Sequence, residues 1–157
     1  MHLIDLLSPS RVRIERAVTS KKRLLEHLAA LLSDSLGTEL ERAIFDNLCS
    51  RERMGSTALG HGVAIPHGRC AQLNTAIGAF VRLSEPVDFG AADGQPVDLI
   101  FALAVPQHFT HQHLVLLAEL ADMFANVEIR TKLRAAPDSA VLYRLLSDWQ
   151  PASDAAA

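Results

Sequence analysis

The chain has no apolar run long enough to cross a bilayer, no excess of basic residues, and only two cysteines among its 157 residues. The first absence excludes a helical membrane span. The second, a net charge of −3, argues against a surface that grips a phosphate backbone, so nucleic acid is not an expected partner. Cys49 and Cys70 form no C-x-x-C pair and no disulfide framework, which suits a reducing compartment. The opening residues Met1 to Leu7 lack the apolar core and basic flank of a secretory leader, and the expected location is cytoplasmic. Several catalytic signatures are missing as well. There is no G-K-[ST] ending to the glycine-rich stretch at residues 55–62, no H-E-x-x-H, and no G-x-S-x-G. Nucleotide binding and serine or cysteine hydrolase chemistry therefore have no support.

What is present is the balance of an ordinary folded domain, 49 % apolar and 21 % charged. Residues 1–149 read as one domain, and the Pro- and Ala-rich residues 150–157 as a disordered tail. Leu3 to Leu7 make one helical turn before Ser8-Pro9, and Val12 and Ile14 alternate as an edge strand does. A helix is predicted from Ser20 to Leu36, capped by Thr19 or Ser20, with Gly37 at its C′ position. Lys21, Lys22 and Arg23 oppose the dipole in its first turn, as a solvated end or a patch for an acidic partner. Thr38-x-x-Glu41 reads as a capping box opening a second helix, which fades near Arg53.

Val63 to His67 reads as a short apolar strand that closes at the histidine. Ile77, Ala79, Val81 and Leu83 alternate along another strand, and Pro86 to Phe89 reads as a short return strand. Asp93-Gly94 marks a turn, and Val97 to Val105 is a central strand covered on both faces. A helix capped by Thr110 follows, with His113 in its first turn and Leu114, Leu117, Ala118, Ala121 and Phe124 as its buried stripe. Two shorter helices are expected at Val127–Ala135 and Asp138–Ser147. The expected fold is α/β: a mixed sheet of four to five strands flanked by helices on both faces.

Chemistry concentrates in the histidines, five of which fall between positions 61 and 113. In Gly62-Val63-Ala64-Ile65-Pro66-His67-Gly68-Arg69, Pro66 imposes an extended approach and Gly68 leaves room beside the ring. The plain alternative is a strand-to-loop turn with a tolerated polar residue. In open α/β sheets ligands gather beyond the carboxyl ends of strands, where His67 and the helix start carrying His113 both belong. A helix start is also a natural anion seat. Two imidazoles there fit a phosphoryl site: one attacks through a neutral nitrogen and the other donates a hydrogen bond. An arginine is wanted beside them, and Arg51, Arg53 and Arg69 are the nearby candidates. The rival chemistry is a metal site from His108, His111 and His113 with His61 or His67, at a spacing that matches none of the usual zinc patterns. His2, His27 and His108 individually read as unrelated surface histidines.

The run Arg51-Glu52-Arg53-Met54-Gly55-Ser56-Thr57, followed by Gly62 to Arg69, resembles the enzyme IIA family of the phosphotransferase system, fructose/mannitol type, nitrogen-regulatory branch. The likeness continues through Gln95 to Leu99, Phe101 to Leu103, Val105-Pro106, Thr110-x-x-His113-Leu114 and Lys132 to Ala136, and leaves only the tail unmatched. The resemblance implies a phosphohistidine relay with His67 phosphorylated at Nε2. It further implies that His113 stabilises the phosphoryl group and that Arg51 balances its charge. No metal or nucleotide cofactor is implied. The donor would be an HPr-like (NPr) carrier charged by a phosphoenolpyruvate-dependent enzyme I. That carrier is expected to dock on an apolar rim drawn from Val63, Ile65 and Phe109. Sugar-transporting relatives often carry an acidic residue where this chain has His61. That departure, with no fused IIB or IIC domain in the sequence, favours regulatory partners over delivery of phosphate to a sugar-specific IIB domain.

Overall fold

In a computed structural model, which describes residues 3–34 and 36–150, the chain forms a three-layer α/β/α domain around one six-stranded sheet. Its strands are β1 (Val12–Glu15), β2 (Ala58–Gly60), β3 (Val63–Ala64), β4 (His67–Cys70), β5 (Ile77–Val87) and β6 (Val97–Pro106). The helices are α1 (Lys21–Ser33), α2 (Thr38–Arg53), α3 (His111–Ala125), α4 (Val127–Ala135) and α5 (Ser139–Asp148). The spatial order is β1-β5-β6-β3-β2, and β4 pairs with β6 further along the edge that β3 uses. The sheet is mixed: β1/β5, β3/β6 and β4/β6 are parallel, while β5/β6 and β2/β3 are antiparallel.

β6 earns its central position from its sequence, since a strand apolar at successive positions can bury both faces. Leu99, Phe101, Leu103 and Val105 join the core beneath α3, α4 and α5, whereas Ile100, Ala102 and Ala104 join the core beneath α1 and α2. Ile77, Ala79, Val81 and Leu83 share the α1/α2 side as the alternation predicts, with Phe80 on the other.

Six strands replace the expected four to five because residues 58–70 fold into three short strands. The Gly60-His61-Gly62 turn between β2 and β3 has positive φ at all three residues (91°, 56° and 77°), a conformation that favours glycine. Pro86 to Phe89 is no return strand. β5 runs through Pro86 to Val87, and the register shifts between Arg82 and Val87, an irregularity that tolerates a proline within a strand.

The first helix ends earlier than predicted, with Asp34 rather than Gly37 in the left-handed cap (φ 45°), and Gly37 caps the start of α2 instead. Thr38 is therefore the first helical residue, and its side chain does not cap the helix. Ser20 does cap α1, accepting from Arg23 N–H at 3.1 Å. In α3 the buried residues are His113, Leu116, Leu120, Met123 and Phe124, while Leu114 is 65 % exposed. The inward face is thus rotated from the predicted stripe, because a helix apolar on most sides leaves periodicity little to choose by and a polar His113 faces inward. Of the predicted tail, residues 151–157 lie outside the described residues. Among the described residues no helix is long and apolar enough to cross a membrane.

Candidate functional site

His67 does not close a strand; it opens β4, separated from the end of β3 by Ile65 and Pro66, and lies opposite Leu103 of β6. Between the two strands Ile65 and Pro66 are held from different directions. Thr57 C=O accepts the Ile65 N–H at 3.1 Å, and Pro66 C=O accepts the Leu103 N–H at 2.9 Å. The remaining carbonyl, that of Ile65, lies 2.8 Å from His67 Nδ1. A carbonyl only accepts, so Nδ1 carries the proton and the neutral ring keeps its lone pair on Nε2. Among the described residues no hydrogen-bond partner occupies Nε2.

Gly68 serves a close approach rather than a turn. A Cβ there would lie 3.0 Å from Asn47 Cβ and 3.3 Å from the Asn47 carbonyl carbon, so the missing side chain is what lets β4 lie against α2. That approach brings the last turns of α2, with Ser50, Arg51 and the following Met54, beside His67. From the other side comes the start of α3. His113 is buried, and its ring centroid stands 5.1 Å from that of His67 with the planes inclined at 50°.

These residues line a cleft of 620 Å³ with Asn47, Ser50, Arg51, Met54, Arg69, Gln107, Thr110 and Leu114. Of the three candidate arginines it brings in Arg51 and Arg69. Arg53 points elsewhere, toward the Cys49 carbonyl at 3.4 Å. Arg51 Nη1 donates to Gly55 C=O at 2.9 Å, which folds the guanidinium over the end of α2. Thr110 makes no side-chain cap at the start of α3. The first turn of that helix therefore presents backbone N–H groups and the positive end of the dipole.

The electrostatics keep both rings neutral near pH 7. Burial pushes the His67 pKa below its usual 6.5, against the hydrogen bond to Ile65 that raises it, and the Arg51 charge lowers it further. His113 falls to about 4, mainly through burial, then through His67 and Arg69. His113 Nδ1 is buried without a hydrogen-bond partner.

The rival metal set is not assembled. Among the described residues no three of the His, Cys, Asp and Glu side chains converge as ligands, and His108 instead packs against Phe109 at 5.0 Å. The expected apolar rim is also displaced. Val63 and Ile65 are core residues, 1 % and 6 % exposed, because Val63 in β3 and Ile65 just after it face the α3–α5 layer, and only Phe109 is half-buried. The apolar side chains that do flank the cleft are Met54, 83 % exposed, and Leu114.

Three contributors have no obvious local signal. Glu52 and Thr57, inside the first matched run, form a buried carboxylate–hydroxyl pair behind the cleft. Lys21 reaches them, at 2.9 Å from Glu52 and 4.2 Å above the Phe89 ring, so it is neither a solvated end nor a patch for an acidic partner. A lysine paired with a glutamate on another helix leaves no spacing pattern to read.

Residues 5–149 match the family described as phosphoenolpyruvate-dependent sugar phosphotransferase system, EIIA 2. The chain is 42 % identical over 150 residues to the nitrogen regulatory protein of Pseudomonas aeruginosa, covering 96 % of this chain and 97 % of that one. It is 30 % identical over 134 residues to the fructose-specific EIIABC component of Bacillus subtilis, covering 85 % of this chain and 21 % of that protein. The crystal structure of the nitrogen regulatory protein IIA-Ntr from Neisseria meningitidis superposes with a TM-score of 0.85 at 42 % identity, over 92 % of this chain and 98 % of that one. The chain belongs to the EIIA 2 family of the phosphoenolpyruvate-dependent phosphotransferase system.

Proposed function

We propose that residues 1–149 form a phosphocarrier domain that accepts a phosphoryl group on His67 Nε2 from an HPr-like phosphohistidine carrier. The observation that supports this most directly is the Nδ1–H···O=C bond to Ile65, which leaves Nε2 as the free nucleophile on a neutral ring. In the transfer the carrier's P–N bond breaks as the bond from phosphorus to His67 Nε2 forms. The carrier imidazole leaves with the electron pair of its broken bond, and Nδ1 keeps its proton throughout. His113 donates from Nε2 to a phosphoryl oxygen. Arg51 swings from Gly55 C=O to balance the charge, and the uncapped start of α3 adds N–H donors. Met54 and Leu114 form the apolar rim on which the donor docks.

The output we assign is regulatory. Identity is higher to the nitrogen regulatory protein than to the fructose component, 42 % against 30 %. Phosphorylation adds roughly −1.5 to −2 charges between Arg51 and Arg69, enough to change which partner surface the cleft accepts. Delivery of phosphate to a IIB domain is the competing output. Incubation with enzyme I, the carrier and phosphoenolpyruvate should add one phosphoryl group by intact mass, and His67→Ala should add none. Equal uptake by the two proteins overturns the assignment. Pull-downs with phosphorylated and unphosphorylated protein then separate regulation from relay, since a pure relay shows no state-dependent partner beyond donor and acceptor.

A further inference from the structure

Behind the cleft lies a carboxylate that makes no hydrogen bond to either histidine. Glu52, near the end of α2, is 9 % exposed. Its Oε1 accepts from the Thr57 N–H at 3.1 Å and from the Lys21 ammonium at 2.9 Å, and its Oε2 accepts from the Thr57 hydroxyl. Burying a charged pair is costly, and an apolar pair of similar volume often packs as well or better. Packing alone does not account for Glu52.

The bonding runs on from Thr57. Its carbonyl accepts the Ile65 N–H, and the Ile65 carbonyl accepts from His67 Nδ1. Pro66 has no N–H to compete for a partner, and its own carbonyl is taken by Leu103 N–H. The orientation of the Ile65 carbonyl is therefore set on one side by β6 and on the other by Thr57, whose peptide and hydroxyl both end on Glu52.

We infer that Glu52, held by Lys21 and acting through Thr57 and Ile65, is a positioning residue that fixes the His67 ring and its Nδ1–H tautomer. The inference rests on the reading of His67 as phosphoryl acceptor, because only there does the choice of tautomer decide whether Nε2 can attack. Groups that orient a reactive imidazole through its other nitrogen typically change activity by about 10–100-fold when removed.

The test uses the full chain labelled with ¹⁵N-histidine, in which the two ring nitrogen shifts of His67 report the tautomer without any phosphoryl transfer. The wild type should show the Nδ1–H form at neutral pH. Glu52→Ala should admit the Nε2–H form and slow uptake from the phosphorylated carrier by roughly tenfold or more. Glu52→Gln, which keeps an acceptor for Thr57, should recover part of both. Thr57→Val and Lys21→Met each remove one link and should shift the tautomer in the same direction by less. An unchanged His67 tautomer in Glu52→Ala overturns the inference, as does a rate loss no larger than the loss of folded protein. If Glu52→Ala does not fold, Thr57→Val and Lys21→Met decide, and an unchanged tautomer in both is equally fatal. A wild type that takes up no phosphoryl group removes the acceptor reading instead, and the tautomer comparison is still read.

Discussion

The segment that carries His67 is tied down along its length, whereas the helix start that carries His113 is held far more loosely. Gly62 C=O accepts from both Asp98 and Leu99 N–H at 3.0 Å, and the Asp93 carboxylate accepts the His61 N–H at 2.9 Å. Arg134 donates to the His61 carbonyl while pairing with Asp98. Ile65, Pro66 and His67 Nδ1 each have a fixed partner, and Gly68 is pressed against Asn47. On the other side, the Thr110 side chain makes no cap bond, Gln107 and His108 are exposed, and His113 Nδ1 has no partner. A nucleophile must be held in one tautomer and one direction before its substrate arrives. A group that serves the transferred phosphoryl can settle around it.

Removing the ring on the loose side should cost rate without costing stability. His113→Ala should slow phosphoryl uptake by roughly a hundredfold, as loss of one donor to a developing charge typically does. Its unfolding free energy, measured in urea, should change by less than about 1 kcal/mol, since Nδ1 has no hydrogen bond to lose. A large stability loss would show that this side is not loose after all. Gly68→Ala tests the tied side. The new Cβ must push α2 away from β4, and strain of this kind costs roughly 1–3 kcal/mol, visible in denaturant unfolding.

Acid probes both sides together. His67 and His113 have lower pKa values in the folded chain than their ordinary 6.5. As pH falls from about 6.5 to about 4, the unfolded chain binds protons that the folded one refuses. Stability is therefore full above pH 6.5 and declines through that window by about 1–3 kcal/mol, with His113 contributing most. Phosphorylation should reverse the His113 shift, because a neighbouring anion favours its charged form; a titration by NMR before and after uptake checks this. Arg51→Ala should have the smallest effect, roughly a tenfold slower uptake, since Arg69 still faces the same cleft.

Much of this could be read from the sequence where one local rule acts alone. Val127–Ala135 is bounded by Asn126 and a proline-constrained Ala136, and it folds with those limits. The unbroken apolar run of β6 could only be central. The readings that failed are those in which tertiary contacts choose between local options. Thr38-x-x-Glu41 has the letters of a capping box, but Gly37 (φ 121°) takes the cap position. Val63 and Ile65 look like a free apolar rim until α3 and α5 cover them. In the site, His67 and His113 are marked by their settings. Glu52, Thr57 and Lys21 are marked by nothing local, because their meaning lies in a bond path joining α1, α2 and β4.

The double edge of β6 has a consequence in time. With β5 along one side and β3 and β4 along the other, its amides are released only when the whole sheet opens, so their hydrogen exchange follows global unfolding. The first turn of α3 can open by fraying alone. His67 opens β4, which pairs with that slow strand, whereas His113, its ring centroid 5.1 Å from that of His67, sits in the turn that frays. A phosphoryl group bound to the first and bonded to the second would link the two clocks, and slower exchange in the first turn of α3 would record its arrival.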